Sequence, residues 1–120
     1  MKLTRQKLGQ RGEELAAQAL TREGYKIVAR NYRTPLGEID IIARQGKKLI
    51  FVEVKTRKGL NFGEPQEGVS FSKQARLKKV AGYYLKQKGL LESPVRFDVV
   101  AITWQTEGPK IEIIPDAFGI

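Results

Sequence analysis

The chain has 120 residues, a length typical of one domain with its own hydrophobic core. Its 22 Lys and Arg against 13 Asp and Glu give a formal net charge of +9, which favours a polyanion such as nucleic acid as a partner, although a merely soluble basic surface has the same composition. The absence of Cys and His excludes disulfides, zinc fingers, thiol nucleophiles and histidine-based catalytic triads. Any bound metal must therefore be oxygen-ligated, which suits Mg²⁺ or Mn²⁺.

No segment has the pattern of a targeting signal or a membrane anchor. The basic stretch 1–11 is not followed by an apolar run, and no window is long and apolar enough to span a bilayer. We therefore expect a cytoplasmic protein that forms a single domain over residues 1–120 and does not bind a membrane.

The first predicted element is a helix over 4–23. Apolar residues recur there at helical spacing, and Gly24 follows at a position where helices commonly end. Within this helix Glu14 points away from the apolar stripe, whereas Glu13 lies at its edge. Glu13 is therefore expected to face a neighbouring site and Glu14 to face water.

Five segments rich in Ile, Val, Phe and Tyr predict strands, namely 25–32, 37–44, 48–56, 96–103 and 110–114. A basic helix over 72–88 is predicted between the third and fourth strands, and Gly89 ends it. The order αβββαββ predicts an α/β fold in which a mixed β-sheet is flanked by helices.

One face of the third strand changes from apolar to charged along its length. Leu49 and Phe51 are followed on that face by Glu53, Lys55 and Arg57. A strand that faces solvent would alternate along its whole length, so these charges are expected at the rim of a core.

The turn 45–48 predicts an antiparallel hairpin between the second and third strands. A loop of two residues and a loop of four give the same register, and both place Asp40 opposite Glu53. Side chains so opposed have Cβ atoms about 5 Å apart, so two like charges there are destabilising unless a positive charge lies between them. A divalent cation would resolve this conflict. A surface ladder of ion pairs that includes Lys55 is the alternative, and a bulge would break the register.

These residues match the signatures of known nucleases. Asp40 followed by Glu53-Val54-Lys55 resembles the D…ExK signature of the PD-(D/E)xK nuclease superfamily, although Ile39 stands where the superfamily name has proline. More closely, the chain resembles the YraN-like family of bacteria, which is generally described as similar to archaeal Holliday-junction resolvases. This second resemblance rests on Gly12-Glu13 and on the segments 37–40, 51–57 and 96–100.

The resemblance implies a restriction-endonuclease-like core and a role for several residues. Asp40 and Glu53 would bind Mg²⁺ or Mn²⁺; apart from the resemblance, we consider the Val54 carbonyl as a further ligand. Lys55 would be the catalytic lysine, and Glu13 the carboxylate that a helix contributes.

The expected function is metal-dependent hydrolysis of phosphodiester bonds in structured or branched DNA. The alternatives are a nucleic-acid-binding module that has the fold without catalysis, and a protein-interaction domain whose basic charge is incidental. A symmetric DNA junction as substrate would favour a homodimer.

Several basic residues near the predicted site are candidates for contacts with nucleic acid. Lys73 and Arg76 lie near the N-terminus of the helix 72–88, an end that attracts anions, and Arg57 follows Lys55 on its face. For each of them a solvated surface position is the alternative.

The remaining polar and aromatic residues have less specific patterns. Phe62, in a loop with Gly59, Gly63 and Pro65, is expected either to wedge a nucleic-acid strand or to anchor the loop. Tyr83, Tyr84 and Trp104 are expected to be core or strand residues rather than base-stacking platforms. Asp98 is expected to lie outside the site, where it pairs with Arg96 or caps the sheet edge.

Overall fold

The computed structural model describes residues 4–58 and 68–119. Its elements follow the predicted order, with ends that differ from the predicted ones by at most two residues: α1 (Arg5–Arg22), β1 (Lys26–Thr34), β2 (Gly37–Gln45), β3 (Lys48–Lys58), α2 (Phe71–Gln87), β4 (Val95–Gln105) and β5 (Gly108–Ile114). Gly59, Phe62, Gly63 and Pro65 of the predicted loop lie outside the described residues.

The five strands form one sheet in the order β1-β2-β3-β4-β5. Neighbouring strands are antiparallel except β3 and β4, which are parallel and are joined through α2. A parallel pair needs such a crossover connection, whereas the antiparallel pairs are joined by short turns. The predicted mixed α/β architecture is therefore confirmed.

Successive side chains of β3 point to opposite faces of the sheet and contribute to two hydrophobic cores, one on each face. Ile50 and Val52 point to the face covered by α1, where they pack with Leu20. Phe51 points to the opposite face, where it packs with Val80 of α2. A central strand that buries side chains on both faces thus holds the two helices in fixed positions on either side of the sheet.

The register predicted for the β2–β3 hairpin is confirmed, because Gln45 pairs with Lys48 and Ile41 with Val52. The ladder ends at that last pair, however, so the prediction that Asp40 and Glu53 form the next ladder pair is wrong. Ile39 is buried in the core on the α2 side, whereas Ile41 is buried on the α1 side. Residues two apart on a regular strand share a face, so the alternation of β2 is interrupted at Asp40 and the two strands separate there.

Both helices begin at a hydroxyl cap. The Oγ1 atom of Thr4 accepts a hydrogen bond of 3.1 Å from the Lys7 N–H, and the Oγ atom of Ser70 accepts one of 3.1 Å from the Lys73 N–H. Such caps satisfy N–H groups that have no partner within the helix. Neither helix is long and apolar enough within the described ranges to cross a membrane.

Asp98 is fully buried near the start of β4 and pairs with Arg96, as one of the two expectations for it stated. The Arg96 Nε atom donates to Asp98 Oδ1 at 2.8 Å, and the Tyr25 hydroxyl donates to Asp98 Oδ2 at 2.7 Å. The Asp116 N–H donates to Asp98 Oδ1 at 2.9 Å. This network ties the end of α1, the sheet and the segment after β5 together, and burial is the main reason that the pKa of Tyr25 is raised to about 12.

Candidate active site

The predicted acidic centre lies where β2 and β3 separate. Asp40 is half-buried, and its Oδ2 atom accepts a hydrogen bond of 2.8 Å from the Val54 N–H. The Glu53 side chain is only 8% exposed. The pKa of Asp40 is raised to about 7, chiefly by burial and then by the nearby charge of Glu53, while the Val54 hydrogen bond opposes both effects. The two carboxylates therefore interact, although they are not a ladder pair.

Glu13 approaches this centre from α1. It is half-buried, and its charge adds to the rise in the pKa of Asp40. The neighbouring Glu14 is exposed and forms an ion pair of 2.8 Å with Arg30. The different surroundings predicted for these two glutamates from the helical pattern are therefore confirmed.

A glycine allows α1 to approach β3 closely beside Glu13. A Cβ atom added to Gly12 would lie 2.7 Å from the Thr56 Oγ1 atom, closer than real Cβ atoms come to other groups. A side chain at this position would force either Thr56 or the helix to shift. Gly12 therefore helps to set the distance between Glu13 and the acidic pair.

Lys73 pairs directly with Glu53, at 2.8 Å between Nζ and Oε1. From the sequence, this lysine was predicted to contact nucleic acid or to occupy a solvated surface position, and its pairing with Glu53 was not predicted. Lys73 is spaced four and seven residues before the buried Leu77 and Val80, and this helical pattern could have indicated that it faces the sheet. Its positive charge also lowers the pKa of Asp40.

Lys55 is half-buried two residues after Glu53 and lies against the backbone at Gly68. A Cβ atom added to Gly68 would lie 2.9 Å from Lys55 Cε and 3.6 Å from Lys55 Nζ. Gly68 therefore leaves room for the end of the lysine. The sequence did not predict this contact, because a glycine in a loop carries no signal of what it lies against.

The other two basic candidates lie around the same end of the sheet. The Arg57 Nε atom donates a hydrogen bond of 3.0 Å to the Thr103 Oγ1 atom of β4. Arg76 is exposed, and its Cδ atom lies 3.0 Å from the place of a Cβ atom at Gly37, where β2 begins. Arg57 is thus held on the sheet, while Arg76 lies at the β1–β2 turn.

The donor set is compatible with Mg²⁺ or Mn²⁺. Within residues 4–58 and 68–119 no three acidic side chains gather closely enough to form a metal cluster by themselves. Mg²⁺ commonly binds through one or two carboxylates and keeps several waters, so Asp40 and Glu53 suffice as protein ligands. Burial first and the charge of Glu53 second raise the pKa of Asp40, so its ionised form would be stabilised by a bound cation.

These features define a small α/β domain whose mixed sheet carries an acidic site at one end. The chain belongs to the uncharacterised protein family UPF0102, whose model matches residues 12–102, and the resemblance to the YraN-like family is thereby confirmed. It is 49% identical over 121 residues to a UPF0102 protein of Moorella thermoacetica, a match that covers 98% of this chain and 100% of that protein. It is 52% identical over 112 residues to a UPF0102 protein of Rhodococcus jostii, covering 92% of this chain and 95% of that protein.

Among solved structures, the chain is similar to one described as Pyrococcus furiosus SfsA in complex with Ca²⁺. The sequence identity is 18% and the TM-score is 0.40, with 96% of this chain and 65% of that chain covered. A likeness at this level is too distant to carry an argument about the site.

Proposed function

We propose that this protein is a metal-dependent nuclease that hydrolyses phosphodiester bonds in structured or branched DNA and has a restriction-endonuclease-like core. The proposal rests on the interaction of two carboxylates at a break in strand pairing, with a third acidic residue and a lysine nearby. Asp40 and Glu53 come from adjacent strands, and Glu13 comes from a helix on the other side of the sheet from α2. Buried like charges are costly, so their arrangement favours a site that binds cations over a structural one.

The proposed roles follow from the position of each residue. Asp40 and Glu53 would hold the cation, and the Val54 carbonyl is a further proposed ligand. A bound Mg²⁺ or Mn²⁺ would supply Lewis acidity to the scissile phosphate and to the attacking water.

Lys55 provides a compact positive charge for the negative charge that develops on the phosphate oxygens. The end of its side chain lies beside Gly68, where the absence of a Cβ atom leaves room for it. Glu13, beside the acidic pair, orients water or shares the cation. The chain has no His, so no imidazole takes part in proton transfer.

Nucleic acid is the proposed partner because the net charge is +9 and basic residues lie around the same end of the sheet. Arg57, Lys73 and Arg76 would contact phosphates. A two-fold dimer, which sedimentation analysis would detect, would match a symmetric four-way junction.

The test uses labelled four-way junction, flap, duplex and single-stranded DNA with Mg²⁺, Mn²⁺ or EDTA. We expect metal-dependent cleavage that is abolished in Asp40→Asn and Lys55→Ala. Glu13→Gln and Glu14→Gln form a matched pair on one helix, and only the first should lose activity. Cleavage that persists in Asp40→Asn or Lys55→Ala would come from a contaminating nuclease and would reject this site.

A nucleic-acid-binding module without catalysis is the second candidate, and the pairing of Lys73 with Glu53 favours it. A lysine already neutralises one carboxylate there, so the protein can fold without a metal ion. This candidate predicts salt-sensitive binding of nucleic acid that EDTA does not change, and no cleavage with any metal.

A further inference from the structure

A pocket of about 500 Å³ opens between the start of α1 and the ends of β3 and β4. This volume lies within the usual range for sites that bind small molecules or parts of larger ones. Its described lining consists of Leu8, Gly9, Thr56, Arg57, Lys58 and Trp104.

The indole of Trp104 gives this pocket an unmet hydrogen-bonding requirement. Its Nε1 atom is buried and has no hydrogen-bond partner within the part of the chain that the structure describes. An unsatisfied buried donor destabilises a protein, and an indole N–H can only donate. A ligand that offers an acceptor, once the ring turns toward it, would therefore be stabilised.

The shape and charge of the lining narrow the class of ligand. Gly9, which lines the pocket, has open space around the position of its missing Cβ atom, so no side chain fills the pocket there. Leu8 and the Trp104 ring provide apolar surface, while Lys58 adds an exposed positive charge. A flat ring would fit the open space and pack on the apolar surface, and its hydrogen-bond acceptors could reach the indole N–H. An anion joined to the ring would meet the positive charge of Lys58.

The pocket lies on the α1 side of the sheet, as Glu13 does. Gly9 lies one helical turn before Glu13, on the same side of α1. Thr56, which contacts α1 at Gly12, follows Lys55 on β3 with its side chain on the opposite face of the sheet. The pocket therefore approaches the acidic site through Glu13, and a nucleic-acid strand that passes Glu13 can reach the pocket.

We propose that this pocket binds an unpaired nucleobase of the strand whose phosphate occupies the acidic site. A carbonyl oxygen or ring nitrogen of the base accepts from the Trp104 Nε1–H, and the adjoining phosphate contacts Lys58. Bases in a duplex are stacked and paired, so such a pocket selects strand ends, flaps and branch points. This inference rests on the proposed function for its class of ligand, but it requires binding only.

Trp104 is the single tryptophan of the chain, so intrinsic fluorescence reports on the pocket directly. The probes are a ten-residue thymidine oligonucleotide and a ten-residue abasic oligonucleotide with the same number of phosphates, both titrated in EDTA. A dye on each oligonucleotide reports the bound fraction by anisotropy. We expect a saturable change in Trp104 emission with the thymidine oligonucleotide, and less than a third of that change with the abasic one at equal occupancy.

Two glycine variants provide the matched comparison. Gly9→Leu fills the pocket, and Gly82→Leu adds the same side chain to α2, where the added Cβ atom also meets open space. Gly9→Leu should weaken binding of the thymidine oligonucleotide about fivefold or more and remove the base-dependent emission change, whereas Gly82→Leu should retain both. Circular dichroism of both variants checks the fold, and Lys58→Ala, at an exposed position, should weaken binding of both oligonucleotides equally.

The outcomes separate this inference from the proposed function. Equal emission changes with the two oligonucleotides, or normal binding by folded Gly9→Leu, would overturn the pocket whether or not the protein cleaves DNA. A base-dependent emission change that Gly9→Leu removes would support the pocket even if no metal gave cleavage.

Discussion

The Val54 N–H donates a hydrogen bond of 2.8 Å to the Asp40 carboxylate, just beyond the pair Ile41 and Val52 at which the backbone ladder of β2 and β3 ends. The Asp40 side chain thus accepts a hydrogen bond of the kind that a backbone carbonyl accepts elsewhere in a sheet. The hydrogen bond holds the carboxylate beside Glu53, so the same interaction that bridges the separated strands also fixes the geometry of the acidic pair.

The raised pKa of Asp40 predicts that the metal-free protein loses stability as the pH rises. The folded state holds this proton more tightly than the unfolded chain, so the stabilisation is present at low pH and is lost as the pH rises through about 7. Asp40→Asn keeps an oxygen for the Val54 N–H and cannot ionise. In urea unfolding without divalent ions, we expect this variant to exceed the wild type in stability by about 1–3 kcal/mol at pH 8 and by much less at pH 5.

If the difference in unfolding free energy between the variant and the wild type were the same at pH 5 and at pH 8, this prediction would be contradicted. Saturating Mg²⁺ at pH 8 should reduce the difference, because it stabilises only the protein with both carboxylates.

Removing the charge of Lys73 should strengthen binding of a divalent cation. The Lys73 side chain is 40% exposed and competes with a metal ion for Glu53. Lys73→Met should therefore tighten Mn²⁺ binding by up to about fivefold, which corresponds to the free energy of a partly exposed ion pair. Isothermal titration calorimetry measures this affinity. Lys79→Met is the control because Lys79 is exposed on the same helix. The affinity of this variant for Mn²⁺ should match that of the wild type. Weaker binding by Lys73→Met would show that the lysine supports the site rather than competing for it.

Gly68→Ala should reduce activity far more than stability. The added methyl group meets the flexible end of Lys55, which can move at little cost, so the melting temperature should change by no more than about 2 °C. The displaced ammonium group should lower the rate of DNA cleavage by about tenfold or more. Gly82→Ala is the control, since no atom lies within 4 Å of its added Cβ atom. Unchanged cleavage by Gly68→Ala would mean that the position of Lys55 does not limit the reaction.

Asp98→Asn should show the opposite behaviour, with a large loss of stability and no direct effect on metal binding. The variant leaves the Arg96 guanidinium without its buried counter-charge, which should cost about 3–5 kcal/mol of unfolding free energy. Thermal and urea unfolding measure the loss. The affinity for Mn²⁺, measured where the variant is folded, should equal that of the wild type. A changed affinity would place Asp98 in communication with the acidic site.

Local patterns were enough to predict the elements and the hairpin register, because strand alternation and a short turn leave few alternatives. The same reasoning failed at Asp40, since a sequence does not reveal where a regular ladder stops and a side chain replaces a backbone acceptor. The contrast between Glu13 and Glu14 could be predicted because it depends only on helical geometry and on the position of the apolar stripe.

Contacts between distant segments were not predictable in this way. The Tyr25 hydroxyl meets Asp98, which is 73 positions away along the chain, and Gly68 meets Lys55 across a connection whose length does not fix its path. The packing of α2 on the sheet also decides that Lys73 meets Glu53, so the lysine could be assigned to a helix but not to its partner.

The separation of β2 from β3 at Asp40 has a consequence for how the protein survives in the cell. Where one side chain replaces the backbone ladder and like charges lie together, the two strands open locally more easily than in the ladder beside them. A cation bound by both carboxylates would hold the strands together, so the concentration of that cation would govern the resistance of the protein to proteases as well as its catalytic activity.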